Sequence, residues 1–81
     1  MNVEIREKLE DYIMQIKPNV ELNLLRNDTA FAQILEFDSI SFVGFIIEIE
    51  TLFNIQFSSV DVYNMKISLK QLIEFIEMEV K

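Results

Sequence analysis

The sequence predicts an all-α domain: a small four-helix bundle of three main helices plus a short third helix, with a long first loop. Three observations predict it. Apolar residues recur at helical spacing in three separate segments. One Gly and one Pro in 81 residues leave too little turn chemistry for a set of hairpins. Apolar residues make up 51% of the chain, enough for one core and, at this length, not for a second. Residues 1–81 are therefore read as a single domain. A core of this size supplies only ~3–5 kcal/mol of net stability, so the fold should be sensitive to core truncation.

The first helix is marked by Ile5, Leu9, Ile13 and Ile16, with Tyr12 beside them, and by Glu4, Arg6, Glu7, Lys8 and Glu10 on the other face. Pro18 cannot continue that helix and disfavours helical geometry at Lys17, so it stops there. The connection from Asn19 to Phe37 holds too many apolar residues for a free linker. It is expected to pack on the core, with a short helical turn at Leu22–Leu25. The second helix should run from Ser39 or Ile40 to Leu52 or Phe53, since Asp38 and Ser39 are both good N-caps. Phe42, Phe45, Ile46, Ile49 and Phe53 form its inward stripe, and Asn54 is its stop. Asp61, three residues after Ser58, favours the positive end of a short third helix around Ser59–Tyr63. Ser68-x-x-Gln71 is a capping box that opens a last helix with Leu69, Leu72, Ile73 and Ile76 inward.

Composition excludes several functions. With no Cys and no His, the chain has no disulfide, no thiol nucleophile, no ordinary zinc site and no neutral-pH general base. Any thiol chemistry needs an imported thiol. Glu48 and Glu50 lie two apart and point to different sides of a helix, a poor acid–base pair, and are read as part of its solvated surface. A net charge of -7 repels nucleic acid and anionic lipid and attracts basic protein faces. No charged start followed by an apolar run marks residues 1–10, and Phe42–Ile47 is far too short to span a membrane. A cytoplasmic monomer is expected.

Asp38-Ser39-Ile40 stands just before the apolar stretch Phe42 to Phe53. On its own such a dipeptide is a helix cap. Its surroundings, Asn27 through Ile40 with the Glu48–Phe53 end of the second helix and the capped last helix, resemble acyl and peptidyl carrier proteins over nearly the whole chain. The resemblance implies a carrier that holds acyl groups as thioesters on a 4′-phosphopantetheine arm. It implies attachment at Ser39, with Asp38 helping a phosphopantetheinyl transferase and its metal ion to dock. Ile40, Val43 and Ile47 fall where carriers meet partner enzymes, and their spacing fits one helical face. Phe31, Ile49, Phe57, Val62 and Met65 match positions that line an acyl cleft in carriers that sequester cargo; simple core packing is the plainer reading.

The partners implied are the transferase, an acyl- or aminoacyl-loading enzyme, and condensing or acyl-transfer enzymes, bound transiently with electrostatic help. The carrier is not itself a catalyst: an unactivated serine is a poor nucleophile. A helix N-terminus favours the phosphate that modification would leave there. Two departures stand out. Glu36 occupies a position where the family has Gly, so that turn is expected to avoid a conformation only Gly tolerates. The middle of the second helix, Val43-Gly44-Phe45-Ile46-Ile47, lacks the acidic character of fatty-acid-synthesis carriers. This points to a free-standing carrier for polyketide or nonribosomal peptide assembly. Primary fatty acid synthesis and D-alanyl carriage stay open, as does an unmodified helical interaction module. Gly44 costs roughly 0.8–1.0 kcal/mol relative to Ala in mid-helix, which predicts that a partner or a neighbouring helix approaches the backbone there.

Overall fold

A computed structural model describes residues 2–80. In chain order it contains α1 (Asn2–Ile16), α2 (Leu22–Leu25), α3 (Phe31–Ile34), α4 (Ser39–Phe53), a 3-10 helix (Val60–Tyr63) and α5 (Leu69–Glu79). Among the described residues there is no β-strand, only an isolated bridge between Ala30 and Ser68. None of the described helices is long and apolar enough to cross a membrane. The all-α bundle with its long first connection is as the sequence predicts.

Helices α1 and α4 run antiparallel, and their side-chain contacts prove it. Lys8 lies over the Phe53 ring, Tyr12 meets Phe45 with centroids 6.0 Å apart, and Lys17 lies over Phe37. Numbers that rise in α1 fall in α4, so the C-terminal end of α1 stands beside the start of α4. Helix α5 packs on α1, and the 3-10 helix packs on α4. Leu9 and Ile13 of α1, Phe42, Phe45, Ile46 and Ile49 of α4, and Leu69, Leu72, Ile73 and Ile76 of α5 meet in one core. Phe31 joins them from the connection, its ring 5.6 Å from Phe42 and 5.5 Å from Phe45. The capping box is complete: the Ser68 hydroxyl accepts from the Gln71 amide, and the Gln71 side chain accepts from the Ser68 amide.

Four expectations need correction. The connection contains a second short helix, α3, besides the turn at Leu22–Leu25. Ile16, expected inward, is exposed, because α1 ends there and the core does not extend past Ile13. Glu10 lies not on the solvent face but buried, 7% exposed, because Arg26 reaches back to it. Arg26 donates from both Nε (3.2 Å) and an Nη (3.0 Å), and Arg6 adds a third bond at 3.3 Å. Burial pushes the Glu10 carboxyl up, but the hydrogen bonds and charge of Arg26, then Arg6, hold it below its usual value. This fork ties the long connection to α1. Glu50, also read as solvated, is half-buried and accepts from the Phe57 amide at 2.8 Å, which anchors the chain leaving α4.

Candidate functional site at the start of α4

The start of α4 is fixed by Asp38. Its backbone is extended, its Oδ1 accepts from the Ser41 amide at 2.8 Å, and its carbonyl accepts from the Phe42 amide at 2.9 Å. Between two suitable caps, geometry therefore chooses Asp38. The Asp38 carboxyl is held below its ordinary range, first by the hydrogen bond from the Ser41 amide. Ser39 is left as the first residue of the helix, exposed, with its hydroxyl not used as the cap. It stands at the positive end of a 15-residue helix.

The turn before the cap is pinned from two sides. Phe37, immediately before Asp38, has its ring centroid 5.2 Å from that of Phe45, while the Lys17 ammonium lies over the Phe37 ring, 5.7 Å from its centroid. Sequence reasoning missed this anchor. The available signal was an apolar residue directly before a helix cap.

Glu36 corrects a further expectation. It adopts the left-handed conformation it was expected to avoid, with φ 59°. The cause is the end of α3. The Glu36 amide donates to the Gln33 carbonyl at 3.2 Å and the Phe37 amide to the Ala32 carbonyl at 2.9 Å. That pair closes a Schellman motif, which requires a left-handed residue after the helix. Its two bonds offset a conformation that costs an L-residue roughly 1–2 kcal/mol. Asn54 closes α4 in the same way, with φ 54°.

Ile40, Val43 and Ile47 are 83%, 40% and 49% exposed and share the outer face of α4. Gly44 lies among them. A Cβ built on it would meet nothing within 4 Å, so the expectation that a neighbouring helix approaches it is wrong. Of the residues implied to line a cleft, Phe31, Ile49 and Val62 are fully buried, while Phe57 and Met65 are half-buried against the same core. Open hollows occur elsewhere, one beside Ile16–Val20 and Ile34–Glu36 and another between Asp61–Asn64 and α5.

The model of the phosphopantetheine attachment site family matches residues 5–76, from the first turns of α1 almost to the end of α5. The chain belongs to the phosphopantetheine attachment family. Members of this family are non-catalytic carriers that hold a 4′-phosphopantetheine arm covalently. No curated protein and no solved structure matches the chain. The residues present fit the arm: the matched span holds an exposed hydroxyl at a helix N-terminus, and the chain has no thiol of its own. When attached, the arm supplies the thiol on which a carrier bears its cargo.

Proposed function

We propose that Ser39 is the attachment residue and that the chain is an acyl or aminoacyl carrier. The observation that carries this reading is the exposure of Ser39 at the first position of α4, with Asp38 alone acting as the cap. The hydroxyl is thereby free for a transferase. Asp38, ionised at neutral pH beside it, serves the docking of that enzyme and its divalent metal. Ser39, at the helix N-terminus, holds the arm's phosphate where the dipole favours it. The chain has no histidine to activate the serine, so a separate phosphopantetheinyl transferase does that work with coenzyme A.

Ile40, Val43 and Ile47 form the partner-binding face, used in turn by the transferase, a loading enzyme, and a condensing or acyl-transfer enzyme. These encounters are brief and aided by the net charge of -7, so loading slows as ionic strength rises. The uncharged middle of α4 favours polyketide or nonribosomal peptide assembly over primary fatty acid synthesis, with the carrier acting as a cytoplasmic monomer. The full burial of Phe31, Ile49 and Val62, with Phe57 and Met65 half-buried against the same core, supports core packing as the plainer role of these five residues.

The test is intact mass after incubation with coenzyme A, magnesium and a broad-specificity phosphopantetheinyl transferase. A gain of one arm in the parent chain and none in Ser39→Ala supports the proposal. A folded parent chain that gains nothing with several transferases contradicts it and favours an unmodified interaction module.

A further inference from the structure

An open hollow of about 300 Å³ lies where α1 ends, between residues 16–20 on one side and 34–36 on the other. Both sides are hydrogen-bonded turns. The Val20 amide donates to the Lys17 carbonyl at 3.1 Å, and the Schellman bonds after α3 hold the opposite side. The hollow therefore has its shape before any ligand arrives. Ile16, expected inward and found 40% exposed, forms part of its lining with the half-buried Val20 and Ile34. That gives the hollow an apolar wall.

The hollow stands at the Ser39 end of the bundle. Glu36, which lines it, is three residues before Ser39, so their Cα atoms are at most about 11 Å apart. Lys17 also lines it, and its ammonium lies over the ring of Phe37, two residues before Ser39. Lys17 and Glu36 share the hollow with opposite charges, yet they form no ion pair with each other. Arg6 and Arg26, by contrast, are both taken up by Glu10. Among the described residues Lys17 has no acidic partner, in a chain of net charge -7. Such a hollow suits a ligand with an anionic group for Lys17, N–H or O–H donors for Glu36, and small apolar groups for the wall.

We propose that this hollow is a resting site for the phosphopantetheine arm, with Lys17 serving its phosphate and Ile16, Val20 and Ile34 its methyl and methylene groups. This inference rests on the carrier reading above. The arm has a phosphate anion, a hydroxyl, amides and a pair of methyl groups, which match the cation, the carboxylate and the apolar wall in kind. Its chain from phosphate to thiol is longer than a three-residue segment, so the hollow is within reach of Ser39. Lys17 also offsets the repulsion that Glu36 and Asp38 exert on a phosphate beside them. Lys17 is a positioning residue: it biases where the arm lies, and no bond forms or breaks at the hollow.

The experiment is isotope-filtered NMR of the chain carrying an unlabelled arm, with the protein itself isotope-labelled. It compares the parent chain, Ile16→Gln, Lys17→Gln and Lys70→Gln, the last an exposed cation on α5 outside the hollow. The same chains without the arm show that each variant is folded and give the reference shifts. The expected result in the parent chain is a set of cross-peaks joining the arm's methyl pair to the methyls of Val20 and Ile34, whose shifts move on modification. Ile16→Gln loses these cross-peaks, and Lys17→Gln weakens them about two- to fivefold, the worth of a surface ion pair. Lys70→Gln leaves them unchanged. A modified parent chain with no such cross-peaks and unmoved methyl shifts, or with an arm that touches Phe57 and Met65 instead, overturns this inference and leaves the carrier reading intact. Cross-peaks as strong in Lys17→Gln as in the parent chain overturn the role given to Lys17. A parent chain that is never modified overturns the carrier reading and this inference with it.

Discussion

The two faces of α4 are made of nearly the same residue types and have opposite fates. Phe42, Phe45, Ile46 and Ile49 are buried, while Ile40, Val43 and Ile47 on the same helix face outward. A helix that is apolar all round is either wholly buried or unfinished. Among the described residues no second layer covers the outer face. The inner face supplies stability. The outer face, which begins at Ser39, has no internal partner, and that is the physical reason to read it as a surface for other proteins.

The sharpest way to break the comparison is to truncate each face in turn. Phe42→Ala should cost about 3–5 kcal/mol, as much as such a core supplies in total. Circular dichroism should find the variant largely unfolded. Ile47→Ala should stay within about 0.5 kcal/mol of the parent chain by urea unfolding while slowing modification several-fold. Equal losses of stability from the two would erase the distinction between the faces.

A second contrast lies between the connection and the helices it joins. Glu10→Gln should remove about 1–2 kcal/mol, measured by urea titration, because it weakens the charge-assisted fork that ties Arg26 to α1. The loss stays below that of a fully buried ion pair because Arg26 is half exposed and can rehydrate. Acid should act in the same direction. Glu10, Asp38 and Glu79 all have carboxyls held below their ordinary values near 4.5, 3.8 and 4.5. Their stabilising contribution is complete above those values and is lost as pH falls through the lower folded ones. The urea midpoint should be flat from about pH 7 to 5 and drop below about pH 4, and Glu10→Gln should flatten part of that drop.

The smallest effect concerns Glu36. Glu36→Gly relieves a left-handed L-residue but loosens the unfolded chain, for a net gain of about 0.5–1 kcal/mol by thermal unfolding. A loss of stability instead would mean that the Glu36 side chain, not only its backbone, supports the turn before the cap.

Much of this fold was legible because long helices repeat their signals. The periodic runs of α1, α4 and α5 and the Ser68–Gln71 box located three elements and most of the core. The four-residue α3 was not legible, because it is too short to display a period. The burial of Glu10 depends on Arg26, sixteen residues away, and no local pattern reports such a pairing. Glu36 misled because its conformation is imposed by the Schellman bonds of α3, not by its own preference. At the site, residue types alone allowed Asp38 or Ser39 as the cap, and only the bond to the Ser41 amide decides between them. Physical reading reached a capped helix with an exposed serine. The arm entered through resemblance and the family match.

Ser41 is also exposed in the first turn of α4, two residues from Ser39, so location is the most direct test of the central claim. The measurement is fragment mass mapping of the modified chain, with Ser39→Ala and Ser41→Ala carried through the same reaction. The expected result is an arm on Ser39 in the parent chain, the same in Ser41→Ala, and none in Ser39→Ala. An arm found on Ser41, or on any serine of a folded Ser39→Ala chain, would contradict the account.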